Sequence, residues 1–217
     1  MLYRRRQGLS EEKSGVQLQI FRDIATNVEN GPTCLCTARE RLLVKSVEAT
    51  PLNNPNQPRY IVDSMFGTVA RKLRILGFDT YYCSCLRDDD VIRMGLEQRR
   101  TVITGDRELF FRSVNKKIPA VLLHSGNDLQ NVGNILKSHS KMLKFNQSLA
   151  RCPNCNGVLT KSPKEKIKEK VKDKVFNNYE LFYECKECSN VYWMGTHVAE
   201  IECWIEKLND VISSNFK

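Results

Sequence analysis

Four cysteines stand in two tight pairs, Cys152-Pro153-Asn154-Cys155 and Cys185-Lys186-Glu187-Cys188, with 29 residues between the inner two. A Cys-x-x-Cys turn lets both sulfurs face one point. Two such turns complete the tetrahedral thiolate shell that closes around a structural Zn²⁺. Gly157 follows the first pair and suits its turn. A redox Cys-x-x-Cys is the competing reading, but that chemistry needs one pair only, opening the helix of a βαβ unit. The other cysteines lack such pairing, and Cys83, Cys85 and Cys203 read as packed thiols.

Carboxylates form the second set: Asp63, the run Asp88-Asp89-Asp90, Asp106, and Glu108 two residues beyond it. Clustered carboxylates repel one another, and a hard divalent cation such as Mg²⁺ or Mn²⁺ relieves the repulsion. An ion held this way can activate water and stabilise the charge on a phosphodiester in flight. Taken singly, Asp88 and Asp106 read more readily as helix N-caps and Asp63 as a turn residue; three such sites in one sheet tip the balance towards a metal site. Arg71, Lys72, Arg74, Arg87 and Arg107 flank these acids. Arg71 and Arg74, three apart on one helix side, read as phosphate-positioning cations, and Lys72 as part of a solvated face.

The elements that must position these groups alternate. Tyr60–Val62, Asp79–Cys83, Thr101–Thr104 and Pro119–Leu123 read as strands. Met65–Leu76 (ending at Gly77), Asp88–Leu96, a segment opened by Asp106, and Asp128–Ser138 read as helices. Strands alternating with helices specify an α/β fold, a mostly parallel sheet covered on both faces in a three-layer sandwich. In such a sheet ligands bind beyond the carboxyl ends of the strands, which is where Asp63 and Asp106 fall.

Around this core the chain is less regular. Residues 1–59 carry Pro32, Pro51, Pro55 and Pro58, with one plausible helix through Val16, Ile20, Ile24 and Val28. Between the cysteine pairs, Lys164, Lys166, Lys168, Lys170, Lys172 and Lys174 alternate with other residues. A strand or hairpin arm here would present one cationic face to a nucleic-acid backbone; a helix would align Ile167 and Val171. A solvated excursion explains the run equally well. His197 reads as a phosphate contact or a hydrogen-bonded structural histidine. Val198, Ile201, Ile205, Leu208 and Ile212 then mark a C-terminal helix beside Trp204.

Composition bounds the rest. The 217 residues are 41% hydrophobic and 27% charged, enough to bury a core, and no apolar run is long enough to span a membrane. A net charge of +9 favours polyanionic partners, nucleic acid first. Arg4-Arg5-Arg6 has no apolar segment behind it, so an intracellular protein, cytoplasmic or nuclear and not secreted, with reduced thiols is expected.

The string Ile61-Val62-Asp63-Ser64-Met65-Phe66-Gly67 with Ala70-Arg71-Lys72-Leu73-Arg74-Ile75-Leu76-Gly77-Phe78-Asp79 resembles the opening motif of the Mut-seven C-terminal RNase domain family. Asp88-Asp89-Asp90, Thr104-Gly105-Asp106-Arg107-Glu108-Leu109, the two cysteine pairs and Tyr192-Trp193-Met194-Gly195-Thr196-His197 follow in the family's order. The resemblance implies a PIN-like nuclease fold joined to a C-terminal zinc ribbon, and an Mg²⁺- or Mn²⁺-dependent ribonuclease site. By position, Asp63 matches the first metal-binding acid, Asp88 the second with Asp89 its rival, and Asp106 the third, with Glu108 as a further acid. Gly105 stands where Arg or Lys is common, and Gly95 replaces a small helix-packing Ala. In animals the domain often follows a 3′–5′ exonuclease domain in Nibbler-like proteins. Residues 1–59 are too short for one, so no exonuclease activity is carried over.

The expectation is therefore an N-terminal extension (1–59), a PIN-like nuclease domain (60–147), a zinc ribbon (150–196) and a C-terminal helix (197–213). Structural zinc would sit at Cys152, Cys155, Cys185 and Cys188, and Mg²⁺ or Mn²⁺ at Asp63, Asp88 and Asp106, with RNA as partner and no membrane. The alternatives are an inactive RNA-binding module, or a ribbon scaffold that docks a protein partner through the apolar C-terminal helix.

Overall fold

Short apolar strands build the centre of the structure, a computed structural model that describes residues 57–124, 126–138, 142–195 and 197–214. The expected helix through Val16 to Val28 lies outside these residues, as do Cys34 and Cys36. β1 (Tyr60–Val62) is buried along its length. β2 (Thr80–Tyr82) flanks it on one side and β3 (Thr101–Thr104) on the other, with β4 (Ala120–Leu122) beyond β3. All pairings are parallel, and Val62 stands in register with Tyr82 and Ile103.

The order β2-β1-β3-β4 decides where helices go. Crossovers between parallel strands are right-handed, so the step from β1 to β2 and the return to β3 lie on opposite faces. α1 (Gly67–Ile75), entered by a 3₁₀ turn at Ser64–Phe66, covers one face. α2 (Asp88–Glu97) and α3 (Arg107–Asn115) cover the other. There Val91, Ile92, Met94 and Leu109 pack on Ile61, Val102 and Ile118 in one apolar cluster. α4 (Asp128–Leu136) lies beside α1.

The smaller unit is an antiparallel sheet of β5 (Leu159–Ser162), β6 (Phe182–Cys185) and β7 (Val191–Trp193). The lysine-rich segment between β5 and β6 is neither a strand arm nor one helix. It is a 3₁₀ turn at Lys164–Lys166, a turn pinned by fully buried Ile167, and α5 (Asp173–Asn178). Lys164 pairs with Glu180 over the Phe176 ring, and Lys170 with Glu184, so part of the run is neutralised in place.

α6 (His197–Ser214) buries Ile201, Ile205, Leu208 and Ile212 of the expected stripe together with Trp204, leaves Val198 half-buried, and packs on α4. The approach is close: a Cβ on Gly133 of α4 would meet Val211 Cγ1 at 2.6 Å. Lys72 is not on a solvated face. It is 8% exposed, ion-paired with Asp128 at 2.9 Å and stacked over the Trp204 ring. The expected α/β class, with its parallel sheet, smaller second sheet, cysteine cluster and C-terminal helix, is the fold that forms.

Candidate active site and cysteine centre

Asp63 leaves the carboxyl end of β1, where its N–H donates to the Ile103 carbonyl of β3 at 2.9 Å. Its Oδ1 accepts from the Ser64 N–H at 2.6 Å and hydroxyl at 3.2 Å, capping the 3₁₀ turn. Its Oδ2 accepts from the Thr104 hydroxyl at 2.9 Å. That hydroxyl in turn accepts from the Asp106 N–H at 2.9 Å, so one buried oxygen ties the ends of β1 and β3 together. Asp106 caps α3, its Oδ1 accepting from the N–H groups of Glu108 and Leu109. Capping and chemistry are compatible, because a carboxylate offers about four lone-pair sites.

Asp88 is not an N-cap. Arg87 holds that position without a side-chain capping bond, and Asp88 is the first helical residue. Partial burial raises its pKa, opposed by Arg112 and reinforced by Asp106, Asp63 and Glu108. Three of the acids predicted from sequence therefore act on Asp88. Asp89, its rival, is 84% exposed and bonded by Arg112, which also reaches Asp88 Oδ2 at 3.4 Å. Asp90 turns to Arg93 and Arg87. Asp106, Arg107 and Glu108 are exposed at the sheet edge. Among the described residues these carboxylates do not close into a tight ligand group, whereas the four cysteines do.

Gly105 has a packing reason. A Cβ there would meet the Phe66 ring at 3.0 Å, so the small residue lets β3 pass the 3₁₀ turn that follows Asp63. Gly95 likewise lies against Ile118, where a Cβ would come within 3.0 Å.

The Sγ atoms of Cys152, Cys155, Cys185 and Cys188 all lie within 4.8 Å of one another. Two of the separations are 3.5 Å and 3.4 Å. Tetrahedral zinc with sulfur bonds of about 2.3 Å spaces its ligands by about 3.8 Å, so the donor set and its size fit that ion. Gly157 makes the room: a Cβ would strike Cys185 Sγ at 2.7 Å. The Tyr192 hydroxyl lies 3.0 Å from Cys152 Sγ, as an outer-shell donor to a thiolate does.

Arg74 does not face phosphate. It is 3% exposed and donates to the carbonyls of Thr80, Pro153 and Asn154, each at 2.9 Å. Burial lowers its pKa to about 10, with Cys155 and Cys152 acting in the opposite sense, so it stays cationic at neutral pH. Cys203 is exposed, as is Cys85, whose sulfur lies 3.0 Å from that of Cys83, so neither reads as a packed thiol. His197 bonds Glu200 within the first turn of α6. Sequence reasoning missed Thr104 as the link between acids and Asn156 as a docking residue. Their signals were slight: a hydroxyl two residues before an acid, and an Asn-Gly after a cysteine pair.

Together, a parallel α/β sheet with acids beyond its carboxyl edge and a four-cysteine unit make up the described chain. A family model described as the Mut7-C RNAse domain matches residues 58–205, and the chain belongs to that family. No curated protein and no solved structure matches it. Among the described residues no helix is long and apolar enough to cross a membrane.

Proposed function

We propose that this chain is a metal-dependent ribonuclease in which Asp63, Asp88, Asp106 and Glu108 hold Mg²⁺ or Mn²⁺ for RNA phosphodiester hydrolysis. The observation that carries the reading is the Thr104 bridge, which holds Asp63 and Asp106 at adjoining strand ends. These ends lie at the switch point of the sheet, where β1 and β3 send their helices to opposite faces and leave a crevice. The carboxylates supply hard oxygen donors, and the bound ion supplies Lewis-acid stabilisation and a water of lowered pKa. Arg107, exposed beside Asp106, would hold a phosphate of the RNA. Cys152, Cys155, Cys185 and Cys188 hold one structural Zn²⁺.

One observation favours a second reading, an RNA-binding module without chemistry. Arg112 bonds both Asp88 and Asp89 and so supplies a cation to the acid edge from within the chain. The scaffold reading loses its docking surface, because α4 covers the apolar stripe of α6.

The test is cleavage of an internally labelled single-stranded RNA with Mn²⁺ or Mg²⁺, wild type beside Asp63→Asn/Asp106→Asn. Metal-dependent cleavage by wild type alone is the expected result. Equal cleavage by both proteins would remove the site. Salt-sensitive binding without cleavage by either would leave the module.

A further inference from the structure

The first cysteine turn is built into the sheet at the end opposite the acids. Asp79 precedes β2, Arg59 precedes β1 and Arg100 precedes β3, so these residues sit at the amino ends of the strands. Arg100, 2% exposed, grips Asp79 through both Nη atoms at 2.8 and 3.2 Å and donates to the Tyr60 carbonyl at 3.0 Å. Arg59 adds a bond to Asp79 at 3.2 Å.

Asn156, directly after Cys155, enters this network. Its Oδ1 accepts from the Thr80 N–H at 2.9 Å, and its Nδ2 donates to Asp79 Oδ1 at 2.8 Å. Its backbone is held at φ 70°, a conformation that places the side chain under the sheet. Arg74 bonds the Pro153 and Asn154 carbonyls between the two cysteines, and the Arg151 N–H returns a bond to the Arg74 carbonyl at 2.9 Å. Arg151 Nη1 donates to the Asn156 carbonyl. The loop bearing two of the sulfurs is thus also a capping element for β2 and α1.

We infer that Arg74 and Asn156 are outer-shell positioning residues of the zinc centre, and that zinc occupancy and the order of the parallel sheet are coupled through them. The physical reason is reciprocity: a loop fixed by the sheet holds its sulfurs ready for the ion, and an ion that fixes the loop holds the strand ends. Undocking the loop takes two of three carbonyl partners from the buried Arg74 guanidinium and one of the bonds to the buried Asp79 carboxylate, which weakens the network at the strand ends. This inference rests on reading the four cysteines as a zinc site, which metal analysis tests separately.

The experiment uses the full chain. Metal analysis should find one zinc per chain, and a chain purified without zinc overturns both the zinc reading and the coupling. Zinc release into a chromophoric chelator is then timed for wild type, Arg74→Met and Asn156→Gly. The glycine variant keeps the positive-φ backbone while deleting the bonds to Thr80 and Asp79. It therefore tests the coupling even where Arg74→Met fails to fold. Release should be about 10-fold faster or more in the variants. In wild type, zinc withdrawal should raise hydrogen exchange at Tyr60–Val62 and Thr101–Thr104. Variants that hold zinc as tightly as wild type, or strand amides that stay protected after zinc leaves, would overturn the coupling while leaving the zinc site standing.

Discussion

The Thr104 hydroxyl lies 2.9 Å from Asp63 Oδ2 and receives the Asp106 N–H at the same distance, so the spacing of two acids depends on a third residue's side chain. Thr104→Val keeps the shape and deletes the hydroxyl. Mn²⁺-dependent cleavage should fall about 10- to 100-fold, with a weaker apparent metal affinity, as for other outer-shell losses. Thr104→Ser should restore most of it. Single-turnover cleavage across a Mn²⁺ titration measures both, and a fully active valine variant would make the bridge incidental.

Asp88 and Asp89 can be told apart. Asp106, Asp63 and Glu108 reinforce the raised pKa of Asp88, while Asp89 is 84% exposed and bonded by Arg112. Asp88→Asn should abolish cleavage, while Asp89→Asn should retain it to within about 10-fold, since an exposed ion pair contributes about 1 kcal/mol or less. The reverse ranking would move the second acid to Asp89.

Asp79 should control acid stability. Burial on its own would raise its pKa, but the Arg100 guanidinium and the Asn156 amide outweigh that and leave it lowered to about 2. A depressed carboxylate pKa contributes stability above the ordinary value near 4, and that contribution is lost as pH falls towards 2. Asp79→Asn should therefore cost about 2 kcal/mol at neutral pH, and the gap to wild type should narrow between pH 4 and pH 2. Denaturant melts of the two proteins, paired at each pH so that acid loss of zinc is common to both, give the difference. A gap that does not change with pH would remove the ionic account.

Gly133→Ala tests the seating of α6. Overpacking costs about 1–3 kcal/mol, more than the ~1 kcal/mol that Ala gains over Gly inside a helix. The variant should melt lower than wild type, and Val211→Ala in the same chain should recover much of the loss. A single variant that melts at or above wild type would show that α6 shifts freely.

Much of this molecule is legible in its residues, because strand and helix signals are local. Tyr60-Ile61-Val62 and Thr101-Val102-Ile103-Thr104 are apolar runs long enough only for buried strands, and Asp106 caps the helix it was expected to open. The cysteine pairs identify their own cluster. What misled was side-chain destination. Arg71, Lys72 and Arg74 look alike as a basic string, yet Lys72 is drawn over the Trp204 ring and Arg74 to the cysteine turn by contacts that lie far along the chain. Asp88 looked like a cap because Asp often is one; Arg87 took that role, since an extended backbone can begin a helix without a side-chain bond.

The dependence of Arg74 on residues 79 and 80 positions downstream has a consequence for synthesis. At 5–20 residues per second, roughly 4–16 s pass between the emergence of α1 and that of the loop carrying Pro153 and Asn154. For that interval the nascent sheet holds a guanidinium whose final carbonyl partners have not yet left the ribosome. The parallel sheet therefore completes its lower end only after translation has passed the first cysteine pair. A chain stalled or cleaved before Arg151 would carry an unfinished parallel sheet into the hands of chaperones.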